Sequence, residues 1–207
     1  MMNYPNFKTT FLEYGIVTTE KIFEIAEDFD RSNLSIWERK GLLIKLRNEF
    51  YSFPEYLEVP GFRLYLANRI FFPSYISLHS ALFYHGMIHY EEEKTITSIV
   101  TSKRAYFANP FGVYSFQKVK PAVFFGFERL PEFERFEIMM ATPEKALLDI
   151  LYLYPHYNTV QAVRELELDP VFMKTRFNVD RFRDYLVQVN NKTLILRGEV
   201  LLSAFGI

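Results

Sequence analysis

The side chains with the clearest chemical use lie on one face of a short predicted helix, Ser32–Lys40. Leu34, Trp37 and Gly41 fall at positions i, i+3 and i+7 and form its apolar face. At 100° per residue, the opposite face carries Ser32, Ser35, Ile36 and Arg39. Hydroxyl and guanidinium groups can read base edges in the DNA major groove, where an aliphatic side chain can contact a thymine methyl group. The pattern predicts a helix that reads base pairs, and the alternative is a solvated face on a domain that binds protein.

Basic charge is concentrated around the same helix. Residues 1–58 hold 7 Lys or Arg against 10 Asp or Glu, a net charge of −3, yet residues 31–47 hold five basic residues against Glu38 alone, a net charge of +4. Four of these cations are expected to hold phosphates, which positions a protein without reading sequence: Arg31, Lys40, Lys45 and Arg47. The whole chain has a net charge of −1, which argues against indiscriminate coating of nucleic acid.

The neighbouring segments predict a scaffold for this helix. Thr18 or Thr19 can cap a supporting helix with apolar residues at helical spacing. Strand-like runs at 42–46 and 50–53 flank a short turn with Asn48 near its tip. Helices followed by a hairpin are the order of a winged helix-turn-helix, with the hairpin as the wing.

Proline and glycine at positions 54–61 indicate a linker, so we predict a DNA-binding domain at 1–58 and a second domain at 59–207. The fold class expected is α+β, with a mostly antiparallel sheet in the second domain and helices at its C-terminus. Its helices are predicted at Leu64–Arg69, at Leu78–His85 between Ser77 as cap and Gly86, from Thr142 to about Tyr154, and repeatedly after Thr159. Its strands are predicted at 95–101, 106–108, 113–118, 123–127 and 136–141.

Composition excludes several classes of protein. The 207 residues include no Cys, so disulfides, thiolate nucleophiles and Cys-ligated metals are absent. No apolar run approaches the roughly 18 residues of a membrane-spanning helix. We therefore expect a cytoplasmic protein that makes no membrane contact.

A second basic run contains no acid between residues 103 and 120. If the strands on either side pair, its four cations gather at one end of the sheet: Lys103, Arg104, Lys118 and Lys120. One interpretation is edge-strand protection, in which lysines discourage unwanted strand pairing. The other is a surface for an acidic protein partner.

Catalytic and metal chemistry are not expected. His85 and His89 are four residues apart, but Gly86 is expected to end the helix between them, so His85 is interpreted as a partly buried, hydrogen-bonded residue. Lys145 and Asp149 have the spacing of a helix-surface pair, and Glu144 is placed to offset the positive N-terminus of its helix. The chain also lacks a G-x-S-x-G motif and a phosphate-binding glycine loop. We predict no enzymatic activity and no cofactor, and we interpret the acidic stretch Glu91-Glu92-Glu93 as a solvated loop.

Two segments resemble the AbiEi-type antitoxins, which are transcriptional regulators of abortive-infection toxin–antitoxin loci. The first is PSYISLHSALFYHG at 73–86, and the second is ATPEKALLD at 141–149. Nearly the whole chain follows the family order of winged helix, β-rich middle and C-terminal helices. At the wing, relatives carry a Gly before an aliphatic-Tyr pair, where this chain reads RNEFY at 47–51, with Asn48 expected at positive φ.

The resemblance implies a repressor that binds double-stranded operator DNA at inverted repeats. It also implies an antitoxin that neutralises a nucleotidyltransferase-type toxin, as part of phage defence. A stand-alone winged-helix regulator with a ligand-sensing or assembly domain is the first alternative. An enzyme that uses the winged helix only for docking is the second.

Overall fold

The structure is a computed structural model that describes residues 2–90, 95–131, 133 and 135–207, so the acidic stretch at 91–93 lies outside the described residues. The chain is an α+β protein. Within the described residues the strands form a three-stranded sheet of order β1-β3-β2 and a six-stranded sheet of order β6-β7-β5-β4-β9-β8.

The N-terminal part of the chain contains three helices and three short strands. They are α1 (Tyr4–Phe11), β1 (Ile16–Thr18), α2 (Thr19–Ile25), α3 (Ser32–Arg39), β2 (Ile44–Arg47) and β3 (Phe50–Ser52). The β2–β3 hairpin predicted from sequence is confirmed, and β3 also pairs antiparallel with β1, which the sequence did not indicate. The Thr18 hydroxyl accepts the Lys21 N–H, which confirms the predicted cap of α2. Gly41, placed on the helix face by its spacing, lies beyond the end of α3 at φ 68°.

The second part of the chain contains the larger sheet. Its strands are β4 (Ser74–Ile76), β5 (Thr95–Val100), β6 (Ala105–Asn109), β7 (Gly112–Lys118), β8 (Phe127–Arg129) and β9 (Met139–Ala141). The β4–β5, β6–β7 and β8–β9 pairs are antiparallel, whereas β5–β7 and β4–β9 are parallel. The sheet is therefore mixed, with antiparallel pairs in the majority. The strand predicted at 123–127 is wrong, because Pro121–Val123 forms a 3-10 turn and β8 begins only at Phe127.

Helices cover and follow this sheet. They are α4 (Phe62–Ile70), α5 (Leu78–Tyr84), α6 (Pro143–Leu153), α7 (Val160–Arg164), α8 (Pro170–Thr175), α9 (Val179–Val189) and α10 (Lys192–Phe205). Thr142 caps α6 as predicted, with its hydroxyl accepting the Lys145 N–H. The predicted cap at Ser77 is wrong in its chemistry, because that hydroxyl donates to the Asp149 carboxylate instead of capping α5.

The predicted surface pair on α6 is also wrong. Lys145 and Asp149 form an ion pair, but both side chains are fully buried. Glu144 is buried as well, and its Oε1 accepts the Asn178 N–H at 2.9 Å. Their helical spacing predicts that these residues approach one another but does not distinguish a solvated face from a buried one.

Contacts cross the predicted domain boundary at residue 58. The rings of Tyr56 and Phe62 lie 4.4 Å apart. At the hairpin, Asn109 Nδ2 at the end of β6 donates to the Leu46 carbonyl of β2 at 3.2 Å. Edge strands of the two sheets therefore meet, and the hairpin is attached to the rest of the molecule. The division into two domains remains a prediction.

No described helix combines the length and apolarity needed to cross a lipid bilayer.

Candidate nucleic-acid interface

Helix α3 is fixed from behind by aromatic side chains. Trp37, 6% exposed, lies with its ring centroid 4.8 Å from Phe7, 5.4 Å from Tyr4 and 5.7 Å from Phe29. Leu34 is buried on the same face. Burying an aromatic side chain of this size stabilises a fold by a few kcal/mol. The inner face of α3 is therefore held rigidly, and the orientation of its outer face is set by packing.

The outer face of α3 is open to solvent at its polar positions. Ser32, Ser35 and Arg39 are exposed, and the Arg39 guanidinium reaches back along the helix to the Ser35 carbonyl at 3.3 Å. Ile36 differs from the sequence prediction, because it is only partly exposed and packs against the core. The structure therefore places two hydroxyls and one guanidinium on a solvent-exposed face of the helix, and Ile36 lies at the border of that face.

An acidic and a basic residue, Asp30 and Arg31, precede the N-terminal end of α3. Asp30 Oδ1 accepts the Ser32 N–H at 2.9 Å, and hydrogen bonding to Ser32 holds the pKa of Asp30 below its ordinary value. Arg31 is exposed and its Nη2 lies 3.6 Å from Glu49 Oε1 in the turn of the hairpin. This cation, expected to hold a phosphate, thus has an intramolecular carboxylate beside it.

Of the two cations predicted on the hairpin, one side chain is exposed to solvent and the other contacts the rest of the protein. Lys45 is exposed on β2, and Lys40 is exposed at the end of α3. Arg47 is different, because its Nε donates to the Ile70 carbonyl and its guanidinium carbon lies 3.7 Å from the centroid of the Phe50 ring. Burial lowers the pKa of Arg47. The expectation that Arg47 holds a phosphate is therefore not met by this arrangement, in which its side chain attaches the hairpin to α4.

The turn of the hairpin also differs from expectation. Glu49, rather than Asn48, adopts the positive φ, at 66°. Glu49 was not predicted as part of the site, because it lies two residues beyond the basic cluster at 31–47. Extending the count to residues 30–49 adds Asp30 and Glu49 and lowers the net charge from +4 to +2. The two acidic residues that flank the basic cluster, Asp30 and Glu49, are therefore visible in the sequence.

The second basic group is exposed and gathered at one end of the larger sheet. Lys103, Arg104, Lys118 and Lys120 are all solvent-exposed. Strand β6 starts at Ala105 opposite Phe116, so residues 103 and 104 lie at the end where β7 finishes with Lys118. Strand β6 is an edge strand of the described sheet. The strand register places the four residues towards the same end of the sheet, a position compatible with both edge protection and a partner surface.

Two of the histidines, His85 and His89, make hydrogen bonds. His85 Nε2 lies 2.8 Å from the Ala141 carbonyl oxygen, and burial lowers the pKa of this imidazole. This confirms His85 as a partly buried, hydrogen-bonded residue. Gly86, at φ 75°, follows the end of α5, and His89 Nε2 lies 2.9 Å from Asp169 Oδ2. The described part of the chain holds no cluster of three or more His, Asp or Glu side chains suited to a metal ion.

Comparisons with known proteins identify a structural relative. No protein-family profile matches the chain, and no match was found among curated protein sequences. The chain is similar in structure to the RV2827C protein from Mycobacterium tuberculosis, with a TM-score of 0.58 and 16% sequence identity, over 100% of this chain and 78% of that one. At this identity the likeness shows that the two chains share a fold.

Proposed function

We propose that this protein is a DNA-binding transcriptional repressor and that its N-terminal elements act as a winged helix-turn-helix. The observation that carries the proposal is the exposed face of α3, with Ser32, Ser35 and Arg39 turned outward and Trp37 buried behind them. A rigidly mounted helix with polar side chains directed outward is what major-groove reading requires.

The order of the elements supports this role. Helix α3 follows α2 after a short turn and precedes the β2–β3 hairpin, an order that supports the interpretation of α3 as the reading helix and the hairpin as the wing. Arg39 is the residue best suited to a bidentate contact with guanine, because its planar guanidinium offers paired donors. Ser32 and Ser35 serve as hydrogen-bonding groups beside it. Arg31, Lys40 and Lys45 contact the phosphates on either side, which sets the register of α3 in the groove.

A DNA-binding experiment tests this function. The protein is titrated into the labelled region upstream of its own gene, with random duplex as competitor, at two salt concentrations. We expect retention of the upstream fragment at competitor levels that remove non-specific binding, because specific sites bind about 10³–10⁷-fold tighter. Equal competition by both duplexes would contradict sequence-specific repression.

We also propose that the second part of the chain neutralises a nucleotidyltransferase-type toxin. The support is the resemblance of segments 73–86 and 141–149 to the AbiEi-type antitoxins, together with the exposed cations at one end of the β6–β7 pair. A nucleotidyltransferase holds metal ions with carboxylates, and a basic surface can approach such an acidic site under electrostatic steering.

Co-expression with the adjacent open reading frame tests this second role through growth rescue and co-purification. The double variant Lys103→Glu, Lys118→Glu should lose rescue and retain DNA binding. A matched control is Lys174→Glu, Lys192→Glu, which reverses two exposed lysines on α8 and α10. Rescue by the first variant equal to rescue by the control would remove this basic surface from the proposal.

A further inference from the structure

The turn of the hairpin holds a carboxylate beside the start of the reading helix. The backbone N–H of Thr19, the first residue of α2, donates to the Glu49 carbonyl at 3.0 Å. Glu49 itself has φ 66°, a conformation that non-glycine residues adopt only when the surroundings favour it. The backbone of Glu49 is therefore tied to α2, which limits how far the hairpin turn can move from α3.

From this position the Glu49 side chain reaches the cation at the start of α3. Glu49 Oε1 lies 3.6 Å from Arg31 Nη2, and the two side chains are 54% and 60% exposed. An exposed pair at this distance contributes little to stability and exchanges readily with solvent ions. A DNA phosphate carries the same charge as the carboxylate and would approach the same guanidinium. Glu49 and a phosphate are therefore alternative partners for Arg31.

We propose that Glu49 is an autoinhibitory carboxylate that occupies Arg31 in the free protein and must release it when duplex DNA binds. The inference rests on the proposed DNA-binding function and adds a regulatory element to that site. Because the competition concerns a phosphate contact, it lowers affinity for every duplex regardless of sequence. Its effect is to keep non-specific binding weak, so that occupancy of DNA depends on the base contacts made by α3.

The state of the neighbouring cations makes Arg31 more important for DNA binding. Arg47, the other cation next to the turn, is retained by the Ile70 carbonyl and the Phe50 ring. The exposed side chain of Glu38 on α3 adds a negative charge to the same region. Because Arg47 makes these intramolecular contacts, few cations near the hairpin turn can contact phosphates, and Arg31 is one of them. Breaking the pair between Arg31 and Glu49 is therefore a cost that any duplex must meet before Arg31 can contact a phosphate.

The test is a double-mutant cycle of Glu49→Gln and Arg31→Gln, read by titration of the upstream fragment and of random duplex. Glutamine keeps the size of the side chain, so the backbone at residue 49 meets the same steric environment. We expect Glu49→Gln to raise affinity for both duplexes by about 2- to 5-fold at low salt, the range of an exposed ion pair. In the Arg31→Gln background, Glu49→Gln should change affinity less than 2-fold.

Glu165→Gln is the matched control, because it makes the same charge change at an exposed site after α7. Unchanged affinity in Glu49→Gln, or a gain equal to that of the control, would overturn the inference while leaving the proposed function standing. A gain of the same size with and without Arg31 would also overturn it, because that result is general repulsion of DNA. If neither the unmodified protein nor Glu49→Gln binds any duplex, the proposed function itself fails.

Discussion

Lys145 and Asp149, one turn apart on α6, form an ion pair in which neither side chain is exposed. Asp149 Oδ2 also accepts the hydroxyls of Tyr75 and Ser77, at 3.0 and 2.8 Å. Burial raises the pKa of Asp149 and lowers the pKa of Lys145, and the attraction between them opposes both shifts. The cluster joins α6 to β4 and to the residue before α5, so it holds the larger sheet and its helices in one arrangement.

Removing one member of this pair should be costly. Lys145→Met leaves the Asp149 carboxylate buried without its cation, and we expect the free energy of unfolding to fall by about 3–5 kcal/mol. The double variant Lys145→Met, Asp149→Leu should recover part of that loss, because it removes the uncompensated charge and leaves only two hydroxyls without an acceptor. Urea unfolding followed by circular dichroism measures both values. A double variant no more stable than Lys145→Met would contradict the expectation, because removing the uncompensated charge would then recover nothing.

Substitutions of the two hairpin cations, Arg47 and Lys45, should have different effects, one mainly on stability and the other mainly on DNA binding. Arg47→Ala removes the bond to the Ile70 carbonyl and the contact with Phe50, so we expect the free energy of unfolding to fall by about 1–3 kcal/mol with little change in the salt dependence of DNA binding. Lys45→Ala should leave stability within about 0.5 kcal/mol and reduce the salt slope by about 0.9. Chemical unfolding and salt-dependent titration give the two quantities for each variant. The reverse assignment of effects would place Arg47, rather than Lys45, on the phosphate backbone.

His85 should make stability fall on acidification. Because burial holds its folded-state pKa below the ordinary value of about 6.5, the unfolded chain binds a proton at a pH where the folded chain does not. The stability contributed by neutral His85 is thus present above the unfolded pKa and is lost as pH falls below it, by at most about 1.4 kcal/mol per pH unit. His85→Gln should flatten the dependence measured by urea unfolding between pH 7.5 and 5.5. The exposed His156→Gln serves as control, and equal slopes in the unmodified protein and His85→Gln would exclude His85 as the source.

Local chemistry explains which elements could be predicted from the sequence. The spacing of Leu34 and Trp37 predicted α3, and Thr142 with Pro143 predicted the start of α6, because caps and helical periodicity act within a few residues. Strand pairing depends on distant segments. Nothing near Ile76 indicates that it pairs with Met140 in a parallel arrangement, so the mixed character of the sheet could not be read locally.

The candidate site shows the same division. Its exposed polar face followed from periodicity in α3. The hydrogen bond of Arg47 is made with the carbonyl of Ile70, 23 residues further along the chain, and no local sequence pattern indicates that contact. The burial of Lys145 and Asp149 was missed for a related reason, because a spacing of four residues places two side chains together on any helix, buried or exposed.

The measurement that tests the central claim most directly is the operator affinity of Arg39→Ala, compared with Arg183→Ala on α9, at one fixed salt concentration. Arg39 is exposed on α3, so its loss should leave the thermal midpoint unchanged. If α3 reads base pairs, Arg39→Ala weakens operator binding by about 1–3 kcal/mol and relaxes the preference at one base pair, while Arg183→Ala binds like the unmodified protein. Unchanged affinity and unchanged base preference in Arg39→Ala would contradict the assignment of α3 as the DNA-reading helix.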